Sequence, residues 1–154
     1  MSEEKTIVTN RKARHEYEII DSIEAGLVLL GSEVKSLRAG RVSLADSYAR
    51  VIREEIWVIG MHISHYKEAA DQNHDPLRDR KLLLHRKEIK KLTRRVEEKG
   101  FTLIPLKLYF KNHIAKMELG IARGKRQYDK KVAIAQKDAK REMEREQKKI
   151  KFKL

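Results

Sequence analysis

The chain has no cysteine, two prolines and seven glycines, and only 6% of its 154 residues are aromatic. Without cysteine there is no disulfide, no thiolate nucleophile and no cysteine-ligated zinc, a composition that agrees with a reducing compartment. No stretch approaches the roughly 20 apolar residues of a spanning helix, and Met1-Ser-Glu-Glu-Lys5 lacks the basic-then-apolar order of a secretory leader, so the expected location is the cytosol with no membrane partner. Acidic residues are outnumbered as well: 36 Lys and Arg against 23 Asp and Glu leave a formal charge of +13. Counterion release from phosphates is the largest energy open to such a surface, so the expected partner is nucleic acid.

The positive charge is concentrated at the end. Residues 125–154 contain neither glycine nor proline, are about half charged and lean strongly basic. They lack the apolar content to bury a core, yet Ala, Lys, Arg, Glu, Gln and Met are good helix formers. A body over residues 1–124 and a basic tail over 125–154, disordered when free and helical on a polyanion, is the expected division.

In the body, apolar runs Tyr17–Ile20 and Leu27–Leu30 flank Asp21-Ser-Ile-Glu-Ala-Gly26, which predicts a hairpin. Ser32 is placed to cap a short helix with Val34 and Leu37 on its buried face and Gly40 after its end. Tyr48–Ile52 and Ile56–Ile63, separated by Arg53-Glu54-Glu55, suggest an antiparallel pair. A polar loop, Lys67–Asp79, contains the turn-forming Asn73-His-Asp-Pro76. Ile89, Leu92 and Val96 share one face of a helix stopped by Gly100. Leu106, Leu108 and Phe110, then Ala115, Met117, Leu119 and Ile121, alternate with polar residues as two half-buried strands. Pro105 must sit where no ladder donor is needed. About six strands with flanking helices suit a mainly β, small OB-like antiparallel barrel, because closure removes exposed edges.

The strings Asn10-Arg-Lys-Ala-Arg-His-Glu-Tyr17, Glu24-Ala-Gly26, Gly31-Ser-Glu-Val-Lys-Ser-Leu-Arg-Ala-Gly40 and Leu44-Ala-Asp-Ser-Tyr48 together resemble the bacterial SsrA-binding protein family. The resemblance continues through Asn73-His-Asp-Pro76, Arg80-Lys-Leu-Leu-Leu-His85, Leu106-Lys-Leu-Tyr-Phe-Lys111 and Gly124-Lys-Arg-Gln-Tyr-Asp-Lys130. It implies an OB-like barrel, no catalysis and no cofactor. It implies an adaptor that binds the tRNA-like domain of transfer-messenger RNA (tmRNA) and delivers it, as a monomer, to stalled ribosomes for trans-translation. The tail would then enter the small-subunit decoding centre and the empty message channel.

By the same resemblance the RNA-facing positions are Asn10, Glu24, Leu83 and Lys116, with Arg38, Arg41, Lys81, Tyr109 and Lys111 as further candidates. Lys116 can neutralise a phosphate, Asn10 can donate and accept, and Leu83 can pack on a base or ribose. Glu24 repels phosphate, so an RNA contact there must accept from a 2′-hydroxyl, a base amino group or a neighbouring cation. Tyr109 shares the polar phase of its strand with Lys107 and Lys111 and offers a ring for base stacking. In the tail the implied ribosome contacts are Gly124, Lys125, Arg126, Tyr128, Asp129, Lys130 and Lys131. The family's Asp-Lys-Arg pattern has Lys131 in place of arginine, which keeps the charge and loses the planar fork.

Two other readings compete. His62-x-x-His65 and His74-Asp75 invite a metal hydrolase, but residues three apart on a strand point to opposite faces and no second ligand cluster completes a site. A generic OB-fold RNA chaperone or ribosome-associated protein would use the same basic surface without choosing one RNA, and would lose most of its affinity with salt.

Overall fold

A computed structural model of the chain describes residues 3–124. The predicted Tyr48–Ile52 strand is present as β4, and it turns through Arg53-Glu54 into β5, Glu55–Ile59. Both turn residues have positive φ, 49° and 63°, as a two-residue hairpin requires. The second long hairpin joins β8, Thr102–Lys111, to β9, Ile114–Gly124, through Asn112-His113, again with positive φ at both positions.

Between them the sheet is completed by β2, Tyr17–Leu27, and β7, Arg80–Leu83. The order β8-β4-β5-β7-β2-β9, with β9 returning to β8, is a closed ring of six strands. A first strand, β1 (Glu4–Thr9), adds to β8 outside the ring. β3 (Val42–Ser43) and β6 (His62–Ile63) make a separate two-stranded ladder. β8 therefore serves three partners. β9 takes one edge along its length, while the other edge goes to β4 at Leu103 and then to β1 from Lys107 onward. Pro105 lies between those two stretches, where no ladder donor is needed, and its carbonyl accepts from Asn10 instead.

The expected hairpin at residues 21–26 is absent. β2 runs straight through Asp21-Ser-Ile-Glu-Ala-Gly26 because its partners lie elsewhere in the chain: β7 pairs with Gly26 and Leu27, and β9 borders it on the other side. Turn-forming residues had no local partner strand to fold back on, and tertiary pairing overrode their preference.

The interior is filled mainly by Ile56, Val58, Met61, Ile63, Leu82, Leu103, Leu108, Met117, Leu119 and Ile121, all essentially inaccessible. Leu106 does not join them. A register shift between Pro105 and Lys107 turns it outward, into a second cluster with Ala13, Ile104 and Ala122 beneath α1, Arg11–Glu16. Gly120 leaves the space: a Cβ there would stand 2.7 Å from Leu106 Cδ1. The predicted long helix is α3, Arg86–Lys99, with Leu92 buried, Ile89 and Val96 against the main core, and Gly100 in the left-handed conformation behind it.

The short helix, α2 (Gly31–Arg38), begins one residue earlier than its expected cap. Leu30 occupies the cap position, and Glu33, not Ser32, closes the first turn by accepting from the Leu30 N–H at 2.8 Å. Its buried face is Ser32, Glu33, Ser36 and Leu37; Val34 is only half-buried. Beneath it Glu33 receives Arg80 Nε at 2.5 Å and Arg78 Nη2 at 2.6 Å. Burial pushes the Glu33 carboxyl up, but hydrogen bonds from Arg78, the Leu30 N–H and Arg80 outweigh it and hold the group below the ordinary carboxylate value. Arg80, fully buried, also donates to the carbonyls of Met61 and Pro76. Ser32 meets His74 Nδ1 at 2.8 Å, and His74 Nε2 meets the Ile63 carbonyl at 2.8 Å, so the hydrogen sits on Nε2 and Ser32 donates. The helix is thereby fastened to the 60–80 segment by polar groups.

Candidate RNA interface

Three of the four RNA-facing positions implied by the sequence meet in one open groove. β2 supplies Glu24 on the outer side of its Ala25-Gly26 end, β7 supplies Leu83, and β9 supplies Lys116; Ile23, Leu27, His85 and Ile114 complete the walls. Strand parity explains the placement: Ala115 and Met117 enter the core while Lys116 points outward, and Leu82 is buried while Leu83 is 51% exposed. Gly26 permits the close pairing with Leu83, since a Cβ at Gly26 would stand 3.2 Å from Leu83 Cβ. Leu83 is held up as a solvent-facing apolar knob rather than folded into the triple-leucine core.

Glu24 is prearranged. Tyr109 Oη donates to its carboxylate at 2.5 Å and Lys111 Nζ stands 3.4 Å away. The Tyr109 hydrogen bond, with Lys111 and Lys116 nearby, outweighs partial burial and holds the carboxyl below its ordinary value. An ionised Glu24 with one oxygen engaged by Tyr109 and Lys111 retains lone pairs for a ribose hydroxyl or a base amino group. Acid, apolar knob and cation lie within one groove, an arrangement that can read shape and sugar as well as phosphate.

Tyr109 itself is not the exposed ring expected from its strand phase. It is 4% exposed, and Lys107 Nζ covers the ring 4.8 Å from its centroid. Burial, then the Glu24 hydrogen bond, raises its hydroxyl pKa, so it stays a donor. Its hydroxyl orients Glu24, and its ring is covered rather than open to solvent.

Asn10 is also internal, 4% exposed, and all of its amide is employed. Oδ1 accepts from Ala13 N at 3.1 Å as the cap of α1; Nδ2 donates to the carbonyls of Leu44 at 3.1 Å and Pro105 at 2.8 Å. Arg38 lies apart, lining a separate hollow with Lys5, Thr6 and Phe110. Arg41 is exposed on the segment after α2. Lys81 points to the same side of β7 as Leu83, where it pairs with Glu55 and lies opposite Trp57. Gly124 ends β9, while Lys125, Arg126, Tyr128, Asp129, Lys130 and Lys131 lie outside the described residues. His74 is consumed by Ser32 and Ile63, and no group of three or more His, Asp or Glu gathers as a metal site among the described residues.

Ile114 is a groove residue that sequence reasoning missed. It is 60% exposed, and its signal was legible: it occupies the outward phase of β9 shared with Lys116 and Glu118. An apolar side chain out of phase at the start of a strand is a surface feature.

The family model for SmpB protein matches residues 7–149. The chain belongs to the SmpB family. It is 58% identical over 143 residues to the SsrA-binding protein of Acetivibrio thermocellus, covering 93% of each chain. It is 57% identical over 141 residues to that of Bacillus cytotoxicus, covering 92% of this chain and 91% of the relative. The SsrA-binding protein of Thermobifida fusca is likewise 57% identical, with 92% and 88% covered. A solved structure described as "tmRNA-SmpB: a journey to the center of the bacterial ribosome" superposes with a TM-score of 0.65 at 50% identity, covering 77% of this chain and 83% of that one. The fold is thus similar to that of this solved structure.

Proposed function

We propose that this chain is a tmRNA-binding adaptor: its barrel holds the tRNA-like domain of tmRNA and brings it to stalled bacterial ribosomes for trans-translation. The observation that carries the reading is the convergence of Glu24, Leu83 and Lys116 in one groove, from strands far apart in sequence. Membership in the SmpB family and the SsrA-binding relatives support it. Asn10 acts from beneath, fixing α1 and the 44–47 segment against β8. The chain works by binding, without catalysis or cofactor, as a cytosolic monomer. Residues 125–154 act as a separate basic tail for the decoding centre and message channel, with Lys130 and Lys131 attracting ribosomal phosphates.

The test is competition between the tRNA-like domain and a length-matched RNA hairpin at about 0.2 M salt, where non-specific attraction is suppressed. A preference of a hundredfold or more is the expected result. Equal binding would leave only a generic basic barrel. Truncation after Gly124 is expected to leave affinity for the tRNA-like domain intact and abolish tagging of stalled chains; loss of RNA binding on truncation would end the two-part reading.

A further inference from the structure

The outward face of β4, β5 and β7 carries large side chains that the core does not use. β4 turns Tyr48 and Arg50 outward while Ala49 is buried, and β5 turns Trp57 and Ile59 outward while Ile56 and Val58 fill the interior. The register sets Arg50 opposite Trp57 and Trp57 opposite Lys81 of β7, so one row across three strands holds an aromatic ring between two cations. Tyr48, 38% exposed, pairs with Ile59 beside that row. Trp57 is the chain's one tryptophan and is half-buried. Its indole N–H makes no hydrogen bond to another described residue and remains open to solvent. Arg50 is exposed and makes no ion pair with another described residue.

The row is continuous with the groove. Leu83, in the groove wall, lies two residues along β7 from Lys81 and on the same side. Val28, just past β2 and 45% exposed, donates its N–H to the Lys81 carbonyl at 3.0 Å and extends the same surface. The nearby acids gather at the turn end, where Glu54 and Glu55 stand with Arg53 in the wall of a separate hollow beside α3. Glu55 also pairs with Lys81, but with both side chains more than a third exposed that pair contributes little, and a phosphate can compete for the lysine. A duplex has its bases already stacked on one another, whereas an unpaired base offers a face to an aromatic ring whatever its sequence.

We propose that Trp57 is a stacking residue for an unpaired nucleotide of the RNA held in the groove, with Arg50 and Lys81 taking the phosphates on either side of it. The proposal rests on the tmRNA-binding reading and adds to it an aromatic contact two strands away from Glu24 and Lys116. Arg50 and Lys81 stand two strand spacings apart, about 10 Å at the backbone, and both side chains are long enough to close on phosphates flanking one base. The groove then holds folded RNA while the Trp57 row takes a base that the fold leaves unpaired, which favours a looped RNA over a plain hairpin stem.

The experiment uses the full chain, with the tRNA-like domain as the probe. Because Trp57 is the one tryptophan, its emission reports this face alone. Saturating RNA is expected to quench that emission by about half and to shield the ring from acrylamide, as stacking on a base requires. W57L should bind about five- to tenfold more weakly and W57F, which keeps a ring, within about threefold of the parent. R50Q should weaken binding about threefold and make the log–log salt slope shallower by about one. L83A acts in the groove, so it should lower affinity yet leave the quench at saturation unchanged. Emission unchanged at saturation would overturn the proposal even if W57L bound weakly, since that pattern marks a packing role; so would a W57L chain that binds like the parent. If the parent shows no preference for the tRNA-like domain over the hairpin, the proposed function fails instead, and quenching by either RNA still decides whether Trp57 takes a base.

Discussion

Two regions invert the usual placement of side chains, and they do so in opposite directions. Beneath α2 an ion pair, two serines and a histidine are buried; in the groove a leucine and an isoleucine are exposed beside Glu24 and Lys116. The buried set is tied mainly to itself: Glu33 accepts from Leu30, Arg78 and Arg80, and Arg80 goes on to Met61 and Pro76, with Arg78 Nε left unpaired. The groove is left open, with Leu83 and Ile114 covered by nothing in the chain's described part. A polar group satisfied indoors is fastening the fold, whereas an apolar group held outdoors awaits a partner.

Glu33→Gln gives the largest expected break in that contrast. Arg80 becomes a buried, uncompensated charge, and urea denaturation should show a loss of about 3–5 kcal/mol. RNA affinity of the molecules that remain folded should be unchanged. If Glu33→Gln instead spared stability and weakened RNA binding, the two regions would have to exchange roles.

Leu83→Ala should do the reverse. Because the side chain is half exposed already, stability should move by no more than about 0.5 kcal/mol, while affinity for the tRNA-like domain should fall by about 1–2 kcal/mol, the worth of covering the rest of a leucine. Direct binding and denaturation of the same sample check both halves. For Glu24→Ala the sign of the change is the informative quantity. A purely electrostatic surface would bind RNA more tightly, but a specific contact should lose about 1–3 kcal/mol. Tyr109→Phe, which frees the Glu24 carboxylate without touching the groove wall, should cost about 1 kcal/mol of stability and a smaller share of affinity.

The pH dependence gives a milder discrimination. The Glu33 and Glu24 carboxyls both lie below their ordinary value in the folded chain, so each binds its proton more readily when unfolded. Their stabilisation is complete above the unfolded glutamate pKa near 4.3 and drains away as pH falls through the lower folded values. Stability should be nearly flat from about pH 7 to 5 and drop below about 4.3. Glu33→Gln and Glu24→Gln should each flatten that acid limb.

Local chemistry made part of this legible. Arg53-Glu54-Glu55 marks the β4–β5 connection to within one residue, Gly100 stops α3, and the alternation of Ala115 to Ile121 gives the correct face of β9. The hidden parts were those decided at long range. Glu33 looks like an ordinary first-turn acid until Arg80, 47 residues on, is brought beneath it. β1 has little apolar pattern because it only borders β8, and Asn10 looks like a free polar residue until Pro105 arrives 95 residues later. The shift at Leu106 defeated a simple count of alternation, just as burial against Glu24 removed Tyr109 from the surface. For the site, motif resemblance named Glu24, Leu83 and Lys116, but only closure of the ring brings them together.

The three-way use of β8 also dictates when the molecule can come into being. β1 and β4 are made early, yet their common partner is Thr102–Lys111, and the ring closes only with β9 ending at Gly124. The Glu3 N–H meets the Asn112 side chain across 109 positions of sequence. Such distant pairings fold slowly and cannot form before β8 itself has been made. Up to that point the product of translation has neither barrel nor groove. A copy cut short before β8 would lack both barrel and groove, so the working surface comes into being only once its own message has been read through β8 and β9.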